Sequence, residues 1–248
     1  VPAVSSRSAI QYLFSLESRG IKLDLDRMRA ALAELGRPER AFPSILVAGT
    51  NGKGSTSTLL ASALAQRDRK VGLYTSPHLL DFRERVRVDG RMLDPGVLVD
   101  WVERDRAVWD RHELSFFEAT TALAFRHFAA ERVDLAVLEV GMGGRLDATN
   151  TVEPILSVVT ALGMDHAQIL GDTAAKIARE KAGIFRGGVP AVAGAGPREA
   201  IAALRERAGE LGTPLFLRRE CLRVSDLTPS EDGGLAFTLK PAGTLADS

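Results

Sequence analysis

Ile45-Leu46-Val47-Ala48-Gly49-Thr50-Asn51-Gly52-Lys53-Gly54-Ser55-Thr56 moves from a short β-rich apolar run into small residues and a lysine. Leu59, Leu60, Ala63 and Leu64 then recur at helical spacing. The order is strand, tight turn, helix. Glycines let backbone N–H groups approach an anion, the helix N-terminus adds partial positive charge, and Lys53 adds a full one. Thr50, Asn51, Gly52, Lys53, Gly54 and Ser55 are therefore the expected cradle for a nucleotide's phosphates, with Lys53 acting on the transferring group. The spacing departs from G-x-x-x-x-G-K-[ST]: Gly49 stands three residues before Gly52, and Gly54 separates Lys53 from the hydroxyls of Ser55 and Thr56. A plain βα turn with a solvated lysine is the alternative.

Outward from this stretch, the bulk properties describe an ordinary globular chain. Its 248 residues are 45% hydrophobic, and 32 basic residues balance 32 acidic ones, so charge calls for neither nucleic acid nor a membrane surface as partner. A single cysteine, Cys221, excludes a disulfide framework and a cysteine metal cluster. No apolar run approaches the roughly 18 residues of a membrane span, and no signal peptide follows Val1, so the expected compartment is the cytoplasm.

Alternation of apolar runs and helical spacing continues along the chain. Helices are expected over Ser5–Ser18, Leu25–Leu35, Val97–Asp110, from Ser115, from Asp172-Thr173 to Gly183, and over Pro197–Leu211. Strands are expected at Lys70–Thr75, Val133–Val140, Ile155–Thr160, Val189–Ala193 and Pro214–Leu217. Glu84–Gly90 reads as a short edge strand, with Arg83, Arg85, Arg87 and Arg91 as a solvated basic face. Leu222–Leu239 reads as edge hairpin strands with a turn at Asp232-Gly233-Gly234, and the tail after Pro241 as ragged. The fold class is α/β, a mostly parallel sheet flanked by helices with a small edge β element.

Ligands of such sheets gather at the carboxyl ends of the strands. Glu139 ends an otherwise apolar strand there, and a buried carboxylate needs a partner. Magnesium, shared with the nucleotide's phosphates, is the natural one, and an arginine or backbone partner is the alternative. His166 lies just past another strand end, which marks it as a further ligand candidate. Ser76 by itself is a turn residue or helix cap with a hydroxyl in reach of a metal or phosphate. Ser115 and Glu118 fit a capping box, so Glu118 has a purely local explanation, as do Phe116 and Phe117 in a core. Lys181 alone reads as a surface lysine paired with a nearby acid. Gly141 to Asn150 is expected as an extended loop, and with no helix signal behind it Gly141-Met142-Gly143-Gly144 is not a dinucleotide fingerprint.

Taken together, Gly49–Ser55, Tyr74-Thr75-Ser76-Pro77-His78-Leu79, Leu138–Asn150, Asp165-His166 and Glu180-Lys181-Ala182-Gly183-Ile184 resemble the bifunctional dihydrofolate synthase/folylpolyglutamate synthase family of the Mur ligase superfamily. The resemblance runs in order from about Tyr12 to Phe185. It implies a P-loop Mur-ligase-type ATPase domain over 1–248, without the C-terminal glutamate-ligase domain of the family. It implies Ser76, Glu139, His166 and Lys181 around Mg2+, with Lys181 carbamylated and catalytic. It also implies a pterin or folate site formed by Lys22 and Leu23, by Ser115, Phe116, Phe117 and Glu118, and by Leu146, Asp147 and Ala148.

The implied activity is ATP-dependent addition of L-glutamate to dihydropteroate or folylpolyglutamate through an acyl phosphate. The expected partners are these small molecules and the missing domain, and the expected state is a monomer. A cell-wall Mur ligase and a truncated nucleotide-binding module are the competing readings, while the loop spacing disfavours a generic P-loop kinase or GTPase.

Overall fold

The computed structural model describes residues 5–164, 168, 171–230 and 233–242. Strand β1 (Ser44–Ala48) is buried at every position. It pairs in parallel with β5 (Leu135–Glu139) on one side and β6 (Pro154–Val159) on the other. Strands covered on both faces read as unbroken apolar runs, which is why Ile45–Ala48 and Leu135–Leu138 show no alternation. Leu46 and Ala48 face the larger core, whereas Ile45 and Val47 face a smaller one closed by Leu60, Ala61 and Leu64 of α3 (Lys53–Ala65). The larger core takes side chains from α1 (Ser6–Ser15), α2 (Asp26–Glu34), α4 (Pro95–Arg111), α5 (Phe116–Glu131), α6 (Ala174–Lys181) and α7 (Arg198–Leu211).

With β2 (Val71–Tyr74), β3 (Val86–Val88), β4 (Arg91–Met92), β7 (Ala191–Ala193) and β8 (Leu215–Leu217), the described sheet runs β4-β3-β2-β5-β1-β6-β7-β8. Among the described strands, only the β2–β3 and β3–β4 pairings of this sheet are antiparallel. Because the chain crosses from β1 to β2 and returns to place β5 between them, the ends of β2, β5, β1 and β6 lie side by side. They form the crevice where open α/β sheets hold ligands.

Four local expectations are corrected. Glu84–Gly90 is not one strand: Asp81 caps a 3-10 turn over Phe82–Arg85, with Asp81 accepting from the Arg83 N–H (2.9 Å) and Glu84 accepting from the Asp81 N–H (2.9 Å). The D-x-x-E spacing of a capping box thus overrides alternation, and the strand is only Val86–Val88. Asp94 and Pro95 at the first helical position start α4 before Val97. The Gly141–Asn150 loop ends in a 3-10 turn over Ala148–Thr151, capped by Asp147. The C-terminal hairpin, β9 (Leu222–Pro229) and β10 (Leu235–Pro241), forms its own two-stranded sheet rather than an edge of the main one. Among the described residues no helix is long and apolar enough to cross a membrane.

Candidate active site

The turn between β1 and α3 is braced from below. Gly49 has φ +152° and a Cβ there would lie 1.8 Å from Thr160 Oγ1, so only glycine fits. Thr50 donates its N–H to Ala161 (2.8 Å) and its hydroxyl to the Gly163 carbonyl (3.1 Å). Thr160 Oγ1 donates to the Asn51 carbonyl (2.7 Å). Thr50 is therefore a correction to the expected cradle: both its donors are committed, and it shapes the loop from behind. Gly52 caps α3 in the left-handed region at φ +80°, with no side chain covering the helix N-terminus. The first-turn amides of Lys53 and Ser55 thus open at a positive helix end, while the Gly54 N–H is turned to the Glu139 carboxylate. Lys53 Nζ folds back onto the carbonyls of Gly49 (3.2 Å) and Thr50 (3.3 Å).

Glu139 ends β5 directly beside this turn. A Cβ on Gly54 would sit 3.4 Å from its Oε2, and the same oxygen accepts the Ser76 N–H at 2.8 Å. Burial pushes the Glu139 carboxyl above the usual carboxylate range, against the opposing pull of the Ser76 N–H, Lys53 and Arg85. Glu139 and Ser76 thus share one corner with the phosphate turn, as the strand ends require. A carboxylate and a hydroxyl are hard oxygen donors, which fits a cation that takes its other ligands from phosphates and water. Among the described residues no group of three or more His, Cys, Asp or Glu assembles around a metal position. His166, a further expected ligand, lies outside the described residues.

Lys181 is not the surface lysine its position in the chain suggests by itself. It is 2% exposed at the end of α6, and its Nζ donates to the Gly49 carbonyl at 2.8 Å, the acceptor that Lys53 also uses. The Gly141–Asn150 loop is fastened to the same helix end. The Arg145 N–H donates to the Glu180 carbonyl (2.9 Å), and Asn150 Nδ2 donates to the carbonyls of Arg145 (3.0 Å) and Gly183 (3.1 Å).

Beyond Ser76 opens a cavity of about 360 Å3 with mostly apolar walls. Every expected substrate residue lines it: Lys22, Leu23, Ser115, Phe116, Phe117, Glu118, Leu146, Asp147 and Ala148. Phe117 lies over Gly141, where a Cβ would meet the ring at 2.5 Å. The two acids are already engaged. Glu118 Oε2 accepts the N–H (2.8 Å) and hydroxyl (2.7 Å) of Ser115, and Oε1 pairs with Arg27 at 3.3 Å. Asp147 Oδ1 accepts from the Thr149 N–H (3.0 Å) and hydroxyl (2.6 Å), while Oδ2 accepts the Met142 N–H (2.9 Å). Burial raises the Asp147 carboxyl above its ordinary range. Lys22 stands at the wall with Nζ 3.5 Å from Glu113.

Arg85 also lines this cavity, and it corrects the expectation of a solvated basic face: it is 7% exposed. The 3-10 turn breaks the alternation that would have turned it outward. The D-x-x-E box at Asp81–Glu84 is the signal of this in the chain.

A mostly parallel α/β sheet with a braced glycine-lysine turn opening a helix, a carboxylate at the neighbouring strand end and a mostly apolar cavity beside them defines an α/β fold of the nucleotide-binding class. The chain belongs to the Mur ligase family: the Mur ligase middle domain matches residues 47–195. It is 41% identical over 202 residues to the dihydrofolate synthase/folylpolyglutamate synthase of Bacillus subtilis, covering 79% of this chain and 47% of that protein. To a probable bifunctional folylpolyglutamate synthase/dihydropteroate synthase of Haloferax volcanii it is 44% identical over 211 residues, covering 83% of this chain and 25% of the relative. The chain thus spans between a quarter and a half of these relatives.

Among solved structures, an FPGS–AMPPCP–folate complex superposes with a TM-score of 0.90 at 33% identity, covering 96% of this chain and 60% of that one. The Escherichia coli FolC complex with DHPP and ADP superposes with a TM-score of 0.84 at 38% identity, covering 95% and 56%.

Proposed function

We propose that this chain carries the nucleotide and acceptor sites of an ATP-dependent ligase that joins L-glutamate to a pterin-bearing carboxylic acid, dihydropteroate or a folate. The observation that carries this reading is the contact between the two halves of the site: Ser76 lies in the wall of the acceptor cavity and donates its N–H to Glu139 beside the phosphate turn. The complexes named above, with AMPPCP and folate in one and DHPP and ADP in the other, support it.

A carboxylate is a poor electrophile, so its oxygen attacks the γ-phosphorus of ATP and the bond to the β-phosphate oxygen breaks, releasing ADP. Lys53, lifted from the Gly49 and Thr50 carbonyls, and the first-turn amides of α3 hold the charge that moves onto the leaving phosphates. Ser76 and Glu139, with His166 as a further ligand, would hold Mg2+, which would supply positive charge to the nucleotide's phosphates. The glutamate amine then attacks the acyl phosphate, phosphate leaves, and the nitrogen gives up a proton as the amide forms. Phe116, Phe117, Leu23 and Leu146–Ala148 form the walls for a flat ring system.

Lys181 has the burial that carbamylation calls for, since a neutral amine must add carbon dioxide and release a proton. A 13C carbamate resonance from labelled bicarbonate, lost in Lys181→Met, tests that step. The balanced charge fits small-molecule partners rather than nucleic acid or a membrane surface.

Calorimetry with dihydropteroate, folate and a UDP-sugar peptide tests the assignment. Binding of a pterin acceptor and not of the UDP-sugar peptide is expected; the reverse selects a cell-wall ligase instead.

A further inference from the structure

Arg85 is a buried guanidinium inside a mostly apolar cavity. Its Nε donates to His78 Nδ1 at 2.9 Å. Its Cζ lies over aromatic rings, 5.1 Å from the Phe116 centroid and 5.9 Å from that of Phe82. Among the described residues no carboxylate forms an ion pair with it, and no oxygen accepts from its terminal nitrogens. Glu17 and Glu139 act on it only at a distance, so its terminal nitrogens keep donors for a closer anion in the cavity.

The other cation in the cavity wall, Lys22, is already beside Glu113. Arg85 is also fixed in place from the backbone, since the Thr75 N–H donates to the Arg85 carbonyl at 3.0 Å, one residue before Ser76. The guanidinium thus stands where the cavity meets the phosphate and metal corner.

We infer that Arg85 is the clamp for the acceptor's reactive carboxylate and that His78 is the positioning residue that aims it. A carboxylate brought next to Glu139 and the phosphates of a nucleotide meets like charge, and a fork of N–H donors opposite those anions lets it approach. By accepting at Nδ1, His78 fixes the guanidinium's rotation and leaves the terminal nitrogens turned to the cavity. The His78 ring is itself held by Phe14 and Phe82, whose centroids lie 6.2 and 6.1 Å away. The inference rests on the acceptor reading of the cavity and adds to it which group receives the carboxylate.

The test compares two probes, dihydropteroate and its uncharged primary carboxamide, titrated into the full chain and followed by calorimetry. The wild type is expected to prefer the carboxylate by about 10- to 100-fold, the range of a hydrogen bond to a charged group. Arg85→Met is expected to bind both probes alike, at the wild-type affinity for the amide. His78→Phe keeps the aromatic packing and drops the acceptor; it is expected to lose most of the preference without weakening the amide, and His78→Gln to regain part of it. A carboxylate preference that survives Arg85→Met overturns the clamp, as does an equal loss of both probes in a variant with unchanged circular dichroism. If the wild type binds neither probe, the acceptor reading itself fails, an outcome distinct from equal binding of both.

Discussion

Glu139 is 4% exposed, and burial holds its carboxyl above the ordinary range although the Ser76 N–H donates to it. The folded chain therefore keeps this proton to higher pH than the unfolded chain does. In metal-free buffer, stability is expected to fall as pH rises from the ordinary carboxylate range through the raised value, where the buried charge forms. Glu139→Gln is expected to remove that slope, leaving thermal stability at neutral pH equal or higher, while Mg2+-dependent nucleotide affinity drops at least about tenfold. Melting curves with and without magnesium check both halves. Asp147 differs, because its two oxygens organise the loop from Met142 to Thr149. Asp147→Ala leaves those donors without partners and is expected to cost about 1–3 kcal/mol in denaturant unfolding and to weaken acceptor binding.

At the scale of elements, the β1–α3 turn, the Gly141–Asn150 loop and α6 form one braced unit. Gly144 shows how close they are: a Cβ there would lie 2.8 Å from the carbonyl oxygens of both Glu180 and Lys181. Backbone atoms cannot step aside as a side chain would, so Gly144→Ala is expected to destabilise the fold by about 1–3 kcal/mol. It should also weaken nucleotide and acceptor binding together, because Lys181 connects the loop to Gly49. Calorimetry with each ligand checks the paired loss.

The parts of this unit differ in how plainly the chain announces them. Ile45–Thr56 and Val133–Glu139 are legible because buried parallel strands are continuous apolar runs and a glycine turn with lysine has few other uses. The burial of Lys181 and Arg85 is not legible, since each depends on contacts from distant segments: Lys181 on the Gly49 carbonyl, Arg85 on Phe116 and His78. Capping boxes were decisive twice. The one at Ser115–Glu118 is plain from its spacing, while the one at Asp81–Glu84 is masked by the alternation of Val86 and Val88.

Over the whole molecule, sheet order turns a linear sequence into a site. Interposing β5 between β2 and β1 brings Glu139 beside both Ser76 and the phosphate turn, although more than sixty residues separate them in the chain. The mostly apolar cavity then draws on the segments around residues 21–24, 76–85, 115–118 and 141–148, all converging at one end of the sheet. A ligand that bridges these parts stabilises the fold by mass action, about 2.7 kcal/mol at a hundred times its dissociation constant. The most direct measurement is calorimetric titration of a non-hydrolysable ATP analogue into this chain, with and without Mg2+, repeated on Lys53→Ala. Saturable one-to-one binding that requires Mg2+ and falls at least about tenfold in Lys53→Ala is the predicted result. Absence of binding, or binding indifferent to both magnesium and Lys53, would contradict the assignment of the β1–α3 turn as a nucleotide site.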